Sequence, residues 1–549
     1  MNDYWSELTT TALLGTDRRA LPPPSGSPAA VAAATAVDRA DPAVALLELA
    51  ALATATHRAG LLPLPAVPPE EPPPADHRPE LPAAAARRLT VLLAGRGGGA
   101  AANLTELLPQ WLAAAHRHGY RPPAAQVPAL LEAARARGEL RGEVAALVGP
   151  LGRWLAERNP EWRYLLRTVN ADAPTDEGLI WQEGLFAERV THLTRLRRRD
   201  PAAALALLAG SWPSERAEDR LLFLDALQEG LGPADEPFLE AALGDRGRNV
   251  RATAAELLSA LPGSALGRRM AGRALAAVRL GTTGALLVTP PAACDPGMRR
   301  DGIPLVSPTG RDERAWWLGE VLAATPLATW TAAFGLTPAQ LLALPVLDAV
   351  DAAGTADSTA DSTDAADLTG ATEAPAAPGP WREELHEAWA RAAVRQRDAA
   401  WARVLLGPPP RRAGAAGRAG APAKLLAVLP PAERAAWTAA FLRVNGPGEA
   451  FQLLGACATP WTPPLSTAVV AALERAASAG SYPWNHSGVL GLTERSLAPA
   501  TAPAVEALAA DATPDTAWAE TFGRLAGTLR FRAAMLAELA PEGLGETAC

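Results

Sequence analysis

The chain has 549 residues, of which 49% are hydrophobic but only 5% are aromatic, and its formal net charge is −8. A chain of this length is too long for one ordinary hydrophobic core, so we predict several domains or one extended array. The negative charge argues against a general nucleic-acid binder. Most of the apolar residues are Ala and Leu, which favour helices, and the residue types that strands prefer are scarce.

The positions of the cysteines and the hydropathy pattern indicate the cellular compartment. Cys294, Cys457 and Cys549 lie far apart, so they offer neither a metal-ligand spacing nor a disulfide framework. Charged residues, prolines or glycines interrupt every apolar run before it reaches 18 residues, and the N-terminus lacks the pattern of a signal peptide. We therefore expect a cytoplasmic protein that neither enters a membrane nor carries a cofactor.

The first region, residues 1–82, is predicted to hold helices with Pro-rich connectors. A helix over Tyr4–Leu14 should end at Gly15, because glycine readily adopts the left-handed conformation that closes a helix. A second helix should begin after Asp41, whose carboxylate can cap it, with Pro42 at its first position. The stretch 61–82 is rich in proline and is predicted to be extended or looped.

The second region, residues 83–350, is predicted to be a helical domain with repeats that are clearest over 186–280. Asp200 and Asp235 open segments about 35 residues apart, each a short helix with a longer one behind it, which is typical of a helical-hairpin repeat. In the last of these helices the apolar residues recur at helical spacing. They are Val250, Ala254, Leu257 and Leu261.

One string within this region resembles the HEAT repeat. It consists of Asp245, Val250, Arg251 and Ala254 at the spacing Asp-x-x-x-x-Val-Arg-x-x-Ala. The predicted fold class is therefore all-α, a HEAT-like helical repeat of the α-solenoid type. Two short apolar runs, 285–289 and 302–306, interrupt the helices, so we allow at most a small β-hairpin near 284–306.

The remaining chain divides at a segment of biased composition. Residues 351–380 are rich in Asp, Ser, Thr, Ala, Gly and Pro and carry few large apolar side chains, so they are predicted to be a disordered linker. Residues 381–549 again show helical patterns and are predicted to form a C-terminal helical domain.

Several signatures of large enzyme classes are absent. The only lysine, Lys424, lies between Ala423 and Leu425, so no phosphate-binding loop of the Gly-Lys-Ser/Thr type exists. The chain also has no His-Glu-x-x-His, Gly-x-Ser-x-Gly or Cys-x-x-Cys. We therefore predict no catalytic, cofactor-binding or metal-binding residues, although an enzyme with a scattered active site remains an alternative.

Clustered arginines supply the candidate interaction surface. In a solenoid, equivalent positions of successive repeats line one face, so these arginines could form a basic groove for an acidic partner or a nucleic-acid backbone. The plainer interpretations are a solvated helix face, and polar contacts between repeats made by Arg251 with Asp245. The candidate residues are Arg195, Arg198, Arg246, Arg248 and Arg251.

Sixteen tryptophans are many beside eight Phe and four Tyr. They could stack on a nucleobase or grip a peptide. The plainer interpretation is that large Trp side chains fill the gaps between Ala-rich helices.

Three segments carry a resemblance to a known family. Residues Ala12–Arg18, Asn159–Trp162 and Glu188–Met270 together resemble an uncharacterised bacterial family, a domain of unknown function. Members of that family lie near genes for a SWIM zinc-finger protein, a MoxR-type AAA+ ATPase and a von Willebrand factor A domain protein. The resemblance implies service with a chaperone-like ATPase system, and it supplies no catalytic residues.

These observations favour a non-catalytic scaffold or adaptor whose partner is a protein, such as the AAA+ ATPase or the von Willebrand factor A domain protein. A nucleic-acid-binding or base-repair protein on a HEAT-like fold is the first alternative, and the net negative charge weighs against it. An enzyme without a recognisable motif is the second alternative.

Overall fold

The computed structural model describes residues 3–59, 71–95, 104–169, 177–349, 381–409 and 422–540. These residues fall into two compact units, Met1–Pro73 and Pro74–Cys549. The predicted linker 351–380 lies outside the described residues. Among the helices of the described residues, none combines the length and the apolar character needed to cross a bilayer.

The first unit is a group of three helices, and the sequence signals for its helix ends are confirmed. Gly15 has a φ of +88°, as a helix-ending glycine requires, and the Asp41 carboxylate accepts hydrogen bonds from the N–H groups of Ala43 and Val44. The helices pack around the buried Leu8 and Leu49. Their bounds are α1 Asp3–Leu14, α2 Pro28–Thr35 and α3 Pro42–Ala59.

The second unit begins with a group of five helices, which we call the N-terminal module. Apolar side chains of its helices form a core of their own that includes Trp111 and Leu130. The bounds are α4 Ala83–Ala94, α5 Leu104–Arg117, α6 Val127–Ala136, α7 Arg141–Arg158 and α8 Tyr164–Val169.

The next stretch contains eleven helices and three short strands within 177–349. Its helices are α9 Glu177–Glu183, α10 Phe186–Arg199, α11 Pro201–Ser211, α12 Ala217–Ala226, α13 Glu236–Ala242, α14 Arg248–Ser259, α15 Ala265–Ala277, α16 Pro296–Arg300, α17 Glu313–Ala324, α18 Ala328–Phe334 and α19 Pro338–Ala343. The strands are β1 Val278–Leu280, β2 Leu286–Val288 and β3 Val346–Asp348.

The described part of the last region, 381–409 and 422–540, is helical throughout, with turns between the helices. Its helices are α20 Arg382–Arg395, α21 Ala399–Leu406, α22 Pro422–Val428, α23 Pro431–Val444, α24 Phe451–Gly455, α25 Pro463–Ser478, α26 Ser487–Ser496, α27 Ala502–Asp511 and α28 Ala517–Ala537. The part of the chain that the structure describes is thus all-α apart from one small sheet, as predicted.

Nine of these helices stack one against the next, and we call them the helix row. They are α10, α12, α14, α17, α20, α22, α24, α26 and α28, and each packs on its neighbour in that order. The row shares one continuous core, from Trp181 near its start to Leu529 near its end. Helices on both sides of 351–380 contribute to that core, and the Arg391 side chain bridges them by an ion pair with Glu320 at 2.5 Å.

The row does not end at α28, because that helix also packs on α5 of the N-terminal module. Met535 and Leu539 belong to the module's core, while Leu529 belongs to the row's core. The chain between Val169 at the end of the module and Glu177 at the start of α9 spans at most about 29 Å. The module is therefore joined to the row at two places, by this connecting chain and by its contact with α28.

The small sheet differs from the predicted hairpin. The run 285–289 does contain a strand, β2, but the run 302–306 does not. β2 instead pairs antiparallel with β1 and parallel with β3. Backbone groups near 302–306 have other partners, since the N–H of Ile303 donates to Met298 and the carbonyl of Leu305 accepts from the Trp317 indole.

Helix α7 contains a kink that depends on one glycine. Gly149 has φ +53° and ψ −142°, and Pro150 follows it. The Arg78 guanidinium fills the space beside the kink, where it donates to the carbonyls of Ala146 and Leu147 at 2.7 and 2.9 Å. These backbone groups would otherwise be left without partners by the break in the helix.

The substitution Gly149→Ala should destabilise the second unit by about 2 kcal/mol or more. The backbone angles are ones that L side chains rarely adopt, and the new Cβ would lie 2.3 Å from Nη2 of Arg78. Chemical denaturation followed by circular dichroism measures this loss.

The control variant is Gly142→Ala in the same helix. A Cβ at Gly142 meets no atom within 4 Å, so this change should be neutral or stabilising by up to about 1 kcal/mol. Equal losses in the two variants would contradict the proposed strain at Gly149.

Candidate functional site

The five predicted arginines lie on two helices of the helix row. Arg195 and Arg198 are exposed on α10. Arg198 donates to Glu229 at 3.0 Å, and this hydrogen bond lowers the pKa of the Glu229 carboxyl. Both groups remain in contact with water. The pair therefore lies on the surface beyond the end of α12 and does not form a pocket.

Their neighbour Arg197, which the sequence did not single out, is fully buried. Its two terminal nitrogens each lie 2.8 Å from a carboxylate oxygen of Asp235. The same guanidinium also donates to backbone carbonyls, among them those of Pro201, Leu227 and Glu229. This arginine therefore ties α10 to the turn before α13 and has a structural role.

Asp245, at the turn between α13 and α14, organises the second group. Its carboxylate accepts from Arg220 on α12 at 2.6 Å and from the N–H of Gly247 at 2.7 Å. The Arg251 side chain donates to the carbonyl oxygens of Asp245 and Arg246. The structure thus ties Arg251 to this turn, although it is Arg220 that reaches the Asp245 carboxylate from the adjacent helix.

Arg246 and Arg248 are exposed beside this turn. In the part of the chain that the structure describes, neither side chain forms an ion pair. Beside this turn the candidate surface thus presents two exposed cations, since the Arg251 side chain is hydrogen-bonded to the turn itself.

A cavity of about 300 Å³ lies where the N-terminal module meets the end of the helix row. Arg495 and Glu106 form an ion pair across it at 3.7 Å, and Glu494 is paired with Arg524 at 3.6 Å. Its volume is at the lower end of the range for small-molecule sites. The lining residues are Glu106, Leu107, Gly491, Glu494, Arg495 and Thr528.

Three successive turns, each with the four helical residues before it and after it, form one border of the last helices, and we call this border the turn edge. The turns are 445–450, 479–486 and 512–516, which join α23 to α24, α25 to α26 and α27 to α28. Neighbouring turns touch, because Gly448 lies against the His486 ring and the Trp518 indole donates to the carbonyl of Ser481 at 2.6 Å.

Four exposed apolar side chains lie at the turn edge. Trp484 is 63% exposed and Tyr482 is 57% exposed, and their rings stack with centroids 4.3 Å apart and planes 10° apart. Phe451 and Val444 on the neighbouring turn are 45% and 52% exposed. Pro483, which lies between these two residues in the sequence, is buried.

Most other tryptophans confirm the plainer interpretation from the sequence. Trp111, Trp330, Trp389 and Trp461 are fully buried between helices. Trp484 therefore differs from these four, and among the described tryptophans Trp5 is also exposed, at 41%. Nothing in the local sequence separates Trp484 from the buried tryptophans, because its exposure depends on the turn that holds it.

Within the described ranges, no group of three or more His, Cys, Asp or Glu side chains is arranged to hold a metal ion. Cys457 is buried, and burial raises the pKa of its thiol.

The variants Arg197→Met and Arg198→Ala should behave very differently. Arg197→Met leaves the Asp235 carboxylate buried without its cation and should cost about 3–5 kcal/mol of unfolding free energy. Arg198→Ala removes an exposed pair and should cause no measurable loss. Thermal and urea denaturation of the full chain measure both, and a small loss for Arg197→Met would contradict its structural role.

The chain matches one known protein family. No curated protein and no solved structure matched the chain. The sequence model of one family of unknown function, DUF5691, matches residues 7–539, which is nearly the whole chain. The chain therefore belongs to the DUF5691 family.

Proposed function

We propose that this chain is a non-catalytic, cytoplasmic scaffold or adaptor that binds other proteins. The observation that carries the proposal is the helix row, in which nine helices stack in sequence over residues 186–537. Arrays of this kind present long surfaces to a partner without any catalytic group. Exposed side chains such as Arg195, Leu222 and Glu256 lie on successive helices of the row.

The internal use of charge supports this proposal. Ion pairs connect one helix of the row to the next, as Arg391 of α20 does when it pairs with Glu320 of α17 at 2.5 Å. Such bridges hold the spacing of the helices fixed, which a rigid binding surface requires. The exposed apolar side chains of the turn edge supply the kind of surface that partners bury.

The proposed partner is a component of a chaperone-like ATPase system, either the AAA+ ATPase or the von Willebrand factor A domain protein. This part of the proposal rests on the gene neighbourhood that the family resemblance implies. It gives the scaffold a concrete task, which is to hold a client or an accessory protein close to the ATPase.

One observation favours nucleic-acid binding as a second candidate function. Arg246 and Arg248 lie side by side, exposed and without ion pairs among the described residues. Two cations are few for a phosphate-binding surface, and the chain as a whole carries a charge of −8. The scaffold therefore remains the better-supported function.

Affinity capture of the tagged full chain from its own cells, with and without nuclease, distinguishes the two functions. We expect the same protein partners in both samples, because contacts between proteins do not depend on nucleic acid. Mass spectrometry identifies the captured proteins.

The matched control is Arg246→Glu with Arg248→Glu. A scaffold should retain its partners in this variant unless they bind at α14. Recovery of nucleic acid alone, lost on nuclease treatment and in the double variant, would contradict the scaffold and favour the second function.

A further inference from the structure

The turn edge combines exposed aromatic rings with unpaired negative charge. Each of its three parts comprises the last four residues of one helix, the turn, and the first four residues of the next helix. These three parts are 441–454, 475–490 and 508–520. Together they contain four carboxylates and two guanidinium groups, so their net charge is −2. The carboxylates belong to Glu449, Asp511, Asp515 and Glu520.

The negative charge of the turn edge is not neutralised within the chain. Among the described residues, none of the four carboxylates forms an ion pair. One of the two guanidinium groups, that of Arg475, donates to the carbonyls of Leu442 and Ala471. The turn edge therefore offers four carboxylates without ion-pair partners, of which Glu449 accepts a hydrogen bond from the N–H of Gly446.

The aromatic stack is held in place before any partner arrives. Pro483, which lies between Tyr482 and Trp484 in the sequence, is buried. The N–H of Asn485 donates to the Tyr482 carbonyl at 3.1 Å. His486, at the end of the same turn, is 3.1 Å from the Ser481 hydroxyl through Nε2. A fixed stack loses little conformational entropy on binding, which favours its use as an anchor.

We propose that the turn edge is a docking surface for an arginine-bearing segment of a partner protein. A guanidinium group can lie flat on the Trp484 or Tyr482 ring and is attracted to the electron-rich face of the ring. The neighbouring carboxylates would attract the same positive charge, and Phe451 and Val444 would contact an adjacent apolar side chain. This inference rests on the proposed scaffold function and names its binding surface.

The charge of the turn edge decides against the other ligands that stack on aromatic rings. Nucleic acids bring phosphates, which the four carboxylates repel. Proline-rich peptides also bind aromatic surfaces, but they are neutral and gain nothing from the carboxylates. An arginine-bearing segment uses both features at once.

A peptide titration of the isotope-labelled full chain tests this directly. The probe is the capped decapeptide Gly-Arg-Leu-Ser-Arg-Leu-Ser-Arg-Leu-Gly, and the control peptide has citrulline in place of each arginine. The Trp484 indole N–H resonance is assigned by its loss in Trp484→Phe. We expect this resonance to shift with the arginine peptide, with a Kd of about 0.1–1 mM, and not with the citrulline peptide.

Variants of the turn edge separate the ring from the charge. Trp484→Ala should weaken binding of the arginine peptide about fivefold, while Trp484→Phe, which keeps a ring, should weaken it less than about twofold. Glu449→Gln with Asp515→Asn should also weaken it, and addition of salt should then have a smaller effect. These amides are matched to the carboxylates in shape, so folding should be preserved.

Several results would overturn the inference. One is an equal shift of the Trp484 resonance with both peptides, and another is a response to a proline-rich peptide or an oligonucleotide but not to the arginine peptide. Capture from cells separates this failure from failure of the scaffold. If wild type and Trp484→Ala capture the same partners equally, the scaffold stands and the docking surface is wrong. If wild type captures no protein, the scaffold is wrong, and the titration still decides whether the turn edge binds arginine.

Discussion

The structure of the second unit depends on helix α28, which belongs to two cores at once. At 21 residues it carries Phe522 and Leu525 into the core of the helix row and Met535 into the core of the N-terminal module. The Arg88 side chain of α4 fixes the far end of the helix, because it pairs with Glu538 and lies over the Phe531 ring at 4.4 Å. These contacts join segments about 450 residues apart in the chain.

Arg532 occupies the boundary between the two cores of α28. It is only 1% exposed, and burial lowers its pKa to about 10. Its guanidinium donates to the Gln110 side chain of the module and to the carbonyls of Glu494 and Leu497 at the end of α26. A cation is favourable at a helix C-terminus, so one side chain stabilises α26 and links it to the module.

Arginines also hold the helix row together from within. Arg197, Arg220 and Arg391 lie on helices of the row and pair with carboxylates, the first two with Asp235 and Asp245 in turns and the third with Glu320 on α17. The guanidinium group suits this task because it has five donors in a fixed plane. At the turn edge, carboxylates outnumber arginines beside the exposed aromatic rings, and this is the chemistry on which the docking proposal relies.

The sequence predicted the helical class and many helix positions, because capping residues and apolar spacing are local. The helix that begins after Asp41 and the Asp200 cap before α11 are confirmed. The helix Ser487–Ser496 was not predicted, since Gly488 and Gly491 interrupt its pattern. Strand pairing and the contacts of α28 depend on segments distant in the chain, which no local pattern reveals.

The candidate surface was harder to predict for the same reason. Of the five arginines, Arg246 and Arg248 lie open, whereas Arg198 and Arg251 are engaged by groups that the fold brings near. The stack of Tyr482 and Trp484 could not be separated from buried aromatic pairs by sequence, because its exposure follows from the position of one turn at the end of the row.

The contact between α28 and the N-terminal module is tested most directly by cutting the chain between Val169 and Glu177. A protease site placed there allows cleavage of the folded protein, followed by size-exclusion chromatography under native conditions. If the module is held by α28, the two fragments should elute together, and they should separate more readily when Arg88→Glu removes the pair with Glu538. Separation of the wild-type fragments on cleavage would contradict the account, because the module would then be joined to the row by the connecting chain alone.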